Sequence, residues 1–235
     1  DFAIIQEAID AAFDGVEIRV APGTYTGTGD SVIDLMGKAI HIRATGTAEE
    51  TVLYGQAARR VVTIDRGEGQ NTIIEGFTIA GGSAGIGQGV GGGVFCGANT
   101  APVIRDCIIT DHVALNFGGG IFVAGSSNAS IIQCIIARST SFLSGGGIYC
   151  GLNSSPSIQA CEIRENESES YGGGVYCSYS DAVIAGCLVV DNASANGGGI
   201  ACQYGSPVIS SCTITANSAL EGNGIGWMGG GVYRS

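Results

Sequence analysis

The sequence has little positive charge: ten lysines and arginines stand against 21 aspartates and glutamates, and Lys38 is the only lysine. The formal net charge of −11 leaves little to neutralise a row of phosphates or uronates, which disfavours nucleic acid, anionic lipid and polyanionic substrates. No apolar run approaches the roughly 20 residues that a membrane-spanning helix needs. A transmembrane segment is therefore not expected.

Metal-binding patterns are also missing. None of the nine cysteines forms a Cys-x-x-Cys pair or a Cys/His set at metal-ligand spacing, so neither a metal site nor a cofactor is expected. What the sequence has in excess is glycine, at 41 of 235 residues. These glycines are clustered, which argues against both collagen and a disordered linker.

Clusters of three glycines recur at a nearly constant interval. Successive clusters are 27, 27, 27, 25 and 32 residues apart and begin at Gly91, Gly118, Gly145, Gly172, Gly197 and Gly229. A second series keeps this interval, with steps of 27, 27, 26 and 25 residues between Cys107, Cys134, Cys161, Cys187 and Cys212. Two series with one period indicate a solenoid built from a repeated unit.

Each repeat has the pattern of a coil of short β-strands. Over residues 145–166, apolar and polar residues alternate within short segments that are bounded by turn residues. The spacing of three between Ile158 and Cys161 breaks the alternation and indicates a bend between two strands. We predict an all-β solenoid, a parallel β-helix of about nine coils that each rise about 4.8 Å.

The amino-terminal residues have a different periodicity. Phe2, Ile5, Ile9 and Phe13 recur at three- and four-residue steps, Asp1 can cap the amino end, and Gly15 can end a helix. We predict an amphipathic helix over 1–15 that caps the open end of the solenoid. The β-helix follows over 16–235, with irregular coils over 16–90 and regular coils over 91–235, as one domain.

Two parts of the sequence carry a family resemblance. The segments 4–12, 20–25, 37–40 and 74–79 resemble the opening coils of secreted bacterial β-helix proteins of the pectate-lyase-like superfamily. The later coils, which combine the glycine cluster with Pro-x-Ile-x-x-Cys-x-Ile-x-x-Asn, are similar to repeats of polymorphic outer-membrane-type surface proteins. The resemblance implies a single-stranded, right-handed parallel β-helix and an extracellular or cell-surface location. The same superfamily holds lyases, hydrolases, esterases, adhesins and structural rods.

Enzymes of this superfamily work on a lateral strand face, where Asp and Arg or Lys cluster on adjacent coils. Two groups here have that composition: Asp65, Arg66 and Glu68 with Glu75, and Arg105 and Asp106 with Asp111 and His112. The sequence lacks the catalytic patterns of polygalacturonases and pectin methylesterases, and these residues fall at turns and outward positions. We therefore assign no catalytic residue and predict that the chain is not an enzyme.

Two columns of residues have structural explanations. His112 stands five residues after Cys107, and the same offset in later coils gives Ser139, Asn166, Asn192 and Asn217. We predict a polar ladder at one corner, whose side chains bond backbone groups and stack on the next coil. The cysteines form two inward columns, in one of which Val123 replaces a cysteine, so we expect buried free thiols.

An aromatic stripe is expected on the solvent side. Its members hold equivalent positions after the glycine clusters, with a gap at Ala201, and are Phe95, Phe122, Tyr149, Tyr176 and Tyr233. Such a row can stack on sugar rings, be buried at a protein interface, or stabilise an exposed sheet. The stripe is therefore a candidate interface or glycan-binding surface.

An insertion near the carboxyl end contains Trp227 and Met228. The interval from Asn217 to Gly229 is 12 residues, about twice its length in earlier coils. The sequence then stops partway through a coil, and an uncapped β-helix offers unpaired backbone to another chain. We predict an assembly end there, because head-to-tail contacts of this kind build filaments.

Two functions remain open. The first is a secreted or cell-surface structural or adhesive rod that associates with itself or with another cell-surface protein. The alternative is a carbohydrate-binding or carbohydrate-active β-helix, similar to a polysaccharide lyase or hydrolase. It would hold a polysaccharide on a lateral strand face near 65–75 or 106–112.

Overall fold

The chain is a parallel β-solenoid. A computed structural model describes residues 2–85 and 89–219 and the backbone of 232–234. Within this part, strands pair in parallel with their counterparts in neighbouring coils and form three sheets of eight strands and one of six. The described residues therefore make about eight coils, slightly fewer than the nine predicted.

The four sheets are named A to D. Sheet A contains Glu17–Val20, His41–Ala44, Ile73–Glu75, Val103–Arg105, Ser130–Ile132, Ser157–Gln159, Val183–Ala185 and Val208–Ser210. Sheet B contains Gly23–Tyr25, Thr51–Tyr54, Thr78–Ala80, Ile108–Thr110, Ile135–Ala137, Glu162–Arg164, Leu188–Val190 and Thr213–Thr215. Sheet C contains Ser31–Asp34, Arg60–Ile64, Val94–Cys96, Ile121–Val123, Ile148–Gly151, Val175–Ser178, Ile200–Gln203 and Val232–Arg234. Sheet D contains Ser83–Ala84, Val113–Ala114, Thr140–Ser141, Glu167–Ser168, Ala193–Ser194 and Ser218–Ala219, and a short 3₁₀ helix spans Ala48–Glu50.

The glycine clusters turn the chain from sheet D into sheet C. The first glycine of each of the five clusters that the structure describes has a left-handed backbone, as Gly118 does with φ of +64°. The other two lie against the next coil: a Cβ on Gly119 would come 2.5 Å from the Gly146 carbonyl oxygen, and one on Gly120 2.6 Å from that of Gly147. The corner therefore excludes side chains at all three positions.

The interior is a column of stacked aliphatic and cysteine side chains. Ile104, Ile131, Ile158 and Ile184 occupy one such column and are fully buried. All nine cysteines are free, and all but the partly buried Cys212 are buried, which confirms the prediction of inward thiols. Burial in this apolar interior raises the pKa of the Cys96 thiol.

The cysteines between sheets A and B also form hydrogen bonds. The Cys161 thiol is placed to donate to the Gln159 carbonyl oxygen at 3.3 Å and to that of Ile131, in the preceding coil, at 3.6 Å. The four equivalent cysteines make the same pair of contacts. A thiol thus serves as a weak donor to carbonyl groups at the bend, which valine could not do.

The predicted polar ladder is confirmed. The Asn192 side chain donates to the Ile163 carbonyl oxygen at 2.8 Å and accepts from the backbone N–H of Asn166 at 3.0 Å. Asn166 makes the equivalent contacts to Ile136 and Ser139. Each ladder amide therefore satisfies a donor and an acceptor of the preceding coil that would otherwise be buried without partners.

Helix α1 spans Ile5–Ala11, which is shorter than predicted. It ends at Ala11 because Ala12 is already extended, and Phe13 is 81% exposed, so the predicted apolar face over Phe2 and Phe13 is wrong. Ile4, not Asp1, is the N-cap residue, and Asp1 itself lies outside the described residues.

Helix α1 nevertheless covers the start of the solenoid. Ile5 and Ile9 are buried in the core. The Gln6 side chain accepts the Asp34 N–H at 2.8 Å and donates to the Asp34 carbonyl oxygen at 3.1 Å, so it takes the place of a preceding strand for sheet C. Lys38 donates to the Ile9 carbonyl oxygen at the other end of the helix. No helix in the described ranges is long and apolar enough to cross a membrane.

Candidate functional site

The aromatic stripe does not face solvent as predicted. Phe122, Tyr149 and Tyr176 are only 8%, 7% and 6% exposed. The rings of Phe122 and Tyr149 stack along sheet C with 5.1 Å between their centroids, and the Tyr176 ring packs against Tyr149 at a tilt of 58°. Phe117 and Tyr171, which directly precede glycine clusters, fold back over the outer face of the sheet and cover the stripe. Burial raises the pKa of Tyr176 to about 12.

Three other predicted residues cannot be placed. Trp227, Met228 and the side chain of Tyr233 lie outside the described residues. The proposed assembly end therefore remains a prediction.

The group around Asp65 does not assemble as a unit with Glu75. Glu68 is buried, and its carboxylate accepts the backbone N–H groups of Gly37 at 2.9 Å and Arg66 at 2.8 Å. The Arg66 side chain pairs instead with Asp34 at 3.1 Å. Glu68 is thus a structural residue at a turn, and Asp65 is left exposed.

The group around His112 also separates. Arg105 pairs with Glu75 at 2.7 Å, and the Asp111 carboxylate accepts two hydrogen bonds from Arg138 at 2.9 Å each. The hydrogen bond from Arg138 lowers the pKa of Asp111. Asp106 lies exposed at the bend between sheets A and B.

His112 is a structural member of the polar ladder. Its Nδ1 accepts the Gly82 N–H at 2.9 Å, and its Nε2 donates to the Ile79 carbonyl oxygen at 2.9 Å. Gly82 and Ile79 are the counterparts, one coil earlier, of the groups that the ladder asparagines bind. Burial lowers the pKa of His112 to about 4, so the imidazole is neutral at pH 7.

A charged network that the sequence did not reveal crosses the first coils of sheet A. His41 Nε2 and the Arg105 guanidinium both contact the Glu75 carboxylate, at 2.8 and 2.7 Å, and Glu17 lies 3.8 Å from the other imidazole nitrogen. The hydrogen bond from Arg105, with a further one from His41, lowers the pKa of Glu75. These groups satisfy one another across four coils, which is what a structural ion-pair network does. These residues are neighbours because their strands pair in register in sheet A. The first coils have irregular lengths, so the sequence does not show this register.

A cleft of about 550 Å³ opens beside the early coils of sheet C. Its size falls within the roughly 300–1,000 Å³ of small-molecule sites. Residues of three successive coils line it, among them Asp30, Arg59, Arg60, Asp65 and Phe95. Of these, only Asp65 and Phe95 belonged to sites predicted from the sequence.

Two arginines hold the walls of this cleft. The partly buried Arg60 donates to the carbonyl oxygens of Val90 at 2.8 Å and Gly91 at 2.9 Å, and its guanidinium carbon lies 4.4 Å from the centre of the Phe95 ring. Burial lowers the pKa of Arg60, and the nearby carboxylates of Asp65 and Asp30 oppose that shift. Arg59 donates to backbone carbonyls of the loop before Asp30.

The carboxylates of this cleft make fewer and longer polar contacts than its arginines. Asp30 and Asp65 are exposed, and the ion pair between Asp65 and Arg66 is long, at 3.7 Å. The cleft thus offers two carboxylates, an aromatic ring and a partly buried positive charge in one concave site. Among the described residues, no group of three or more His, Cys, Asp and Glu is placed to hold a metal ion.

The comparisons with known proteins define the family. The family model described as "Right handed beta helix region" matches residues 60–233, so the chain belongs to that family. This confirms the predicted right-handed parallel β-helix. Comparison with curated proteins gives no match.

One solved structure shares the fold over nearly the whole chain. It is the pectin methylesterase from Aspergillus niger, at 12% identity and a TM-score of 0.54, covering 97% of this chain and 88% of that one. This finding contradicts the prediction, made from the missing catalytic patterns, that the chain is not an enzyme, because a protein with the same fold is an enzyme. The predicted likeness to outer-membrane-type surface proteins and the bacterial origin stay predictions.

Proposed function

We propose that the chain is a carbohydrate-active β-helix protein that binds a polysaccharide along its lateral face. In the cleft of Asp30 and Asp65 it hydrolyses a glycosidic or ester bond of that polysaccharide. The observation that carries the proposal is this cleft, where two exposed carboxylates flank a partly buried arginine beside an aromatic ring. Two carboxylates in one cleft can divide the roles of acid and base, or of acid and nucleophile.

The charges of the cleft favour a neutral or esterified substrate. The guanidinium groups of Arg59 and Arg60 already donate to backbone carbonyls. The exposed carboxylates of Asp30 and Asp65 would repel a uronate, in keeping with the net charge of −11. The only lysine, Lys38, is bonded to helix α1. Hydrolysis is therefore favoured over β-elimination from an acidic sugar.

The pectin methylesterase gives this proposal its precedent, because its name describes an enzyme that acts on an esterified polysaccharide. The likeness concerns the fold, so the assignment of Asp30 and Asp65 depends on the cleft of this chain. An extracellular or cell-surface location, where polysaccharides are encountered, forms part of the proposal.

The test is incubation of the purified chain with a panel of neutral, methyl-esterified, acetylated and acidic polysaccharides. New reducing ends report glycosidic cleavage, and released methanol or acetate reports ester cleavage. Loss of an acid or base typically costs about 10²- to 10⁴-fold in rate, which we expect for Asp65→Asn and Asp30→Asn. Asp106→Asn is the matched control, because it removes an exposed carboxylate at a different corner.

Two results would overturn the proposal. One is full activity in the Asp65→Asn and Asp30→Asn variants. The other is the absence of both turnover and binding across the whole panel.

A self-assembling rod is the second candidate function. The start of the solenoid exposes Phe2 and Phe13 beside an apolar cavity of about 560 Å³ that Val16 and Tyr25 help to line. We propose that another copy of the chain docks on this end. Sedimentation across a concentration series should then show large species that Phe13→Ser disperses, whereas a monomer at every concentration would reject assembly.

A further inference from the structure

One corner of the solenoid presents an exposed aromatic pair. Tyr179 and Tyr204 are 54% and 66% exposed, and their rings stack with centroids 4.8 Å apart and planes inclined by 18°. They occupy the same turn in successive coils, where the Tyr179 N–H donates to the Gln203 carbonyl oxygen. Unlike the aromatic stripe, this pair offers its rings to solvent.

The backbone of both tyrosines is in an unfavourable conformation. Tyr179 has φ of +51° and Tyr204 has φ of +55°, in the left-handed region that bulky residues rarely adopt. Leu152 and Gly125 hold the equivalent positions one and two coils before Tyr179, with φ of +53° and +70°. The turn itself therefore does not require tyrosine, and glycine fits its backbone without strain.

Polar groups surround a small cavity beside the pair. The cavity, of about 150 Å³, is lined by Asn153, Ser155, Tyr179, Asp181 and Tyr204 together with Ser154. One Asp181 carboxylate oxygen accepts the Ser206 N–H at 2.8 Å, which fixes the side chain. The exposed amide of Asn153 and the other oxygen of Asp181 remain able to bind hydroxyl groups.

We infer that the tyrosine pair and this cavity form a binding subsite for one neutral sugar residue. The apolar C–H face of a pyranose ring would pack on the exposed aromatic surface, since stacked aromatic rings give a large and rigid contact. Asp181 and Asn153 would bind its hydroxyl groups, and the carboxylate disfavours an acidic sugar. Nothing in this argument requires chemistry at the cleft, so the inference goes beyond the proposed function.

The tyrosine subsite and the cleft lie along the same edge of sheet C. Asp65 and Tyr179 both lie just after strands of sheet C, four coils apart in the order of that sheet. At about 4.8 Å per coil, the axial distance is roughly 19 Å, the reach of a short oligosaccharide. A glycan chain lying along the solenoid axis could therefore contact both places.

The test measures binding of neutral hexose and pentose oligosaccharides by glycan array and calorimetry. Wild-type protein should bind at least one of them, and Tyr179→Gly and Tyr204→Gly should each weaken binding about tenfold or more. Because glycine fits the left-handed turn, both variants should keep a melting temperature close to or above that of the wild type. Folding failure therefore cannot imitate loss of the subsite.

The controls separate this inference from the proposed function. Gln133→Gly makes the same kind of substitution at a left-handed, exposed position on a different corner, between sheets A and B, and should leave binding unchanged. Asp65→Asn should remove turnover while the oligosaccharide still binds at the tyrosines. Wild-type protein that binds no neutral oligosaccharide, or unchanged affinity in both glycine variants, would overturn the inference.

Discussion

The role of His112 leads to a prediction about acid stability. Its pKa in the folded chain is lowered by burial to about 4, against an ordinary value of 6.5. Above pH 6.5 both the folded and the unfolded chain carry the neutral imidazole, and protonation of His112 takes nothing from the free energy of unfolding. As the pH falls from 6.5 to 4, only the unfolded chain binds the proton, so stability declines. Below the folded pKa, the loss is complete.

The magnitude follows from the width of this window. At about 1.4 kcal/mol per pH unit, protonation of His112 in the unfolded chain costs about 3 kcal/mol of unfolding free energy by pH 4. Such a loss is a large part of the roughly 5–15 kcal/mol of a typical domain. The acid sensitivity of the chain should therefore depend strongly on one side chain.

His112→Asn is the variant that isolates this effect. Asparagine at the ladder position accepts one backbone N–H and donates to one carbonyl oxygen, as Asn166 does, and it does not titrate. Urea unfolding followed by circular dichroism, at intervals between pH 7.5 and 4, gives the free energies. As the pH falls from 6.5 to 4, the free energy of unfolding of the variant should rise by about 3 kcal/mol relative to that of the wild type.

The other histidine of the chain provides the control for this experiment. His41→Asn removes the other of the two histidines and should leave the contribution of His112 in place. Parallel pH curves for wild type and His112→Asn would refute the assignment. So would an Asn variant that is unfolded at pH 7.

Three further predictions concern the corners and the core. Asn192→Ala leaves buried groups of the preceding coil unpaired and should cost about 3 kcal/mol or more in urea unfolding, while the exposed Asn128→Ala costs little. Gly146→Ala places a Cβ 2.3 Å from the Glu167 carbonyl oxygen and should destabilise by more than about 2 kcal/mol in the same assay, whereas Gly69→Ala meets nothing and should not. Thiol titration with a disulfide reagent should label only the partly buried Cys212 in the native chain, and a second native thiol reacting as fast would contradict the packed core.

The fold and the ladder could be predicted because both repeat with the coil. The period fixes which residues lie above one another, and an inward asparagine at a corner has few ways to satisfy its amide. That is why His112 could be recognised as a ladder member before its hydrogen bonds were known.

The cover over the aromatic stripe could not be predicted in the same way. Alternation shows that Phe122 points away from the core, but not that the ring of Phe117, which precedes the glycine corner, lies over the outer face of sheet C. Whether an outward residue is exposed depends on the path of a loop. Phe13 is a similar case. Its spacing fits the helical period, but the helix ends at Ala11, so Phe13 does not lie on the buried face of the helix.

The cleft was missed for a different reason. Asp30, Arg60 and Asp65 come from early coils that lack glycine clusters, so no landmark aligns Ser31 with Arg60 one coil later. The tyrosine corner had a visible spacing, but the sequence does not show that Tyr179 and Tyr204 occupy a left-handed turn. In both places, chemistry depends on register or backbone conformation rather than on residue type.

The central claim is that a polysaccharide is held at the cleft of Asp30 and Asp65. The most direct measurement is hydrogen–deuterium exchange of the chain with and without the oligosaccharide that the binding panel identifies. We predict slower exchange over 27–31, 59–66 and 89–95, which surround the cleft, and the same pattern with weaker protection in Asp65→Asn. Protection confined to the outer face of sheet A, or no protection at saturating oligosaccharide, would contradict the account.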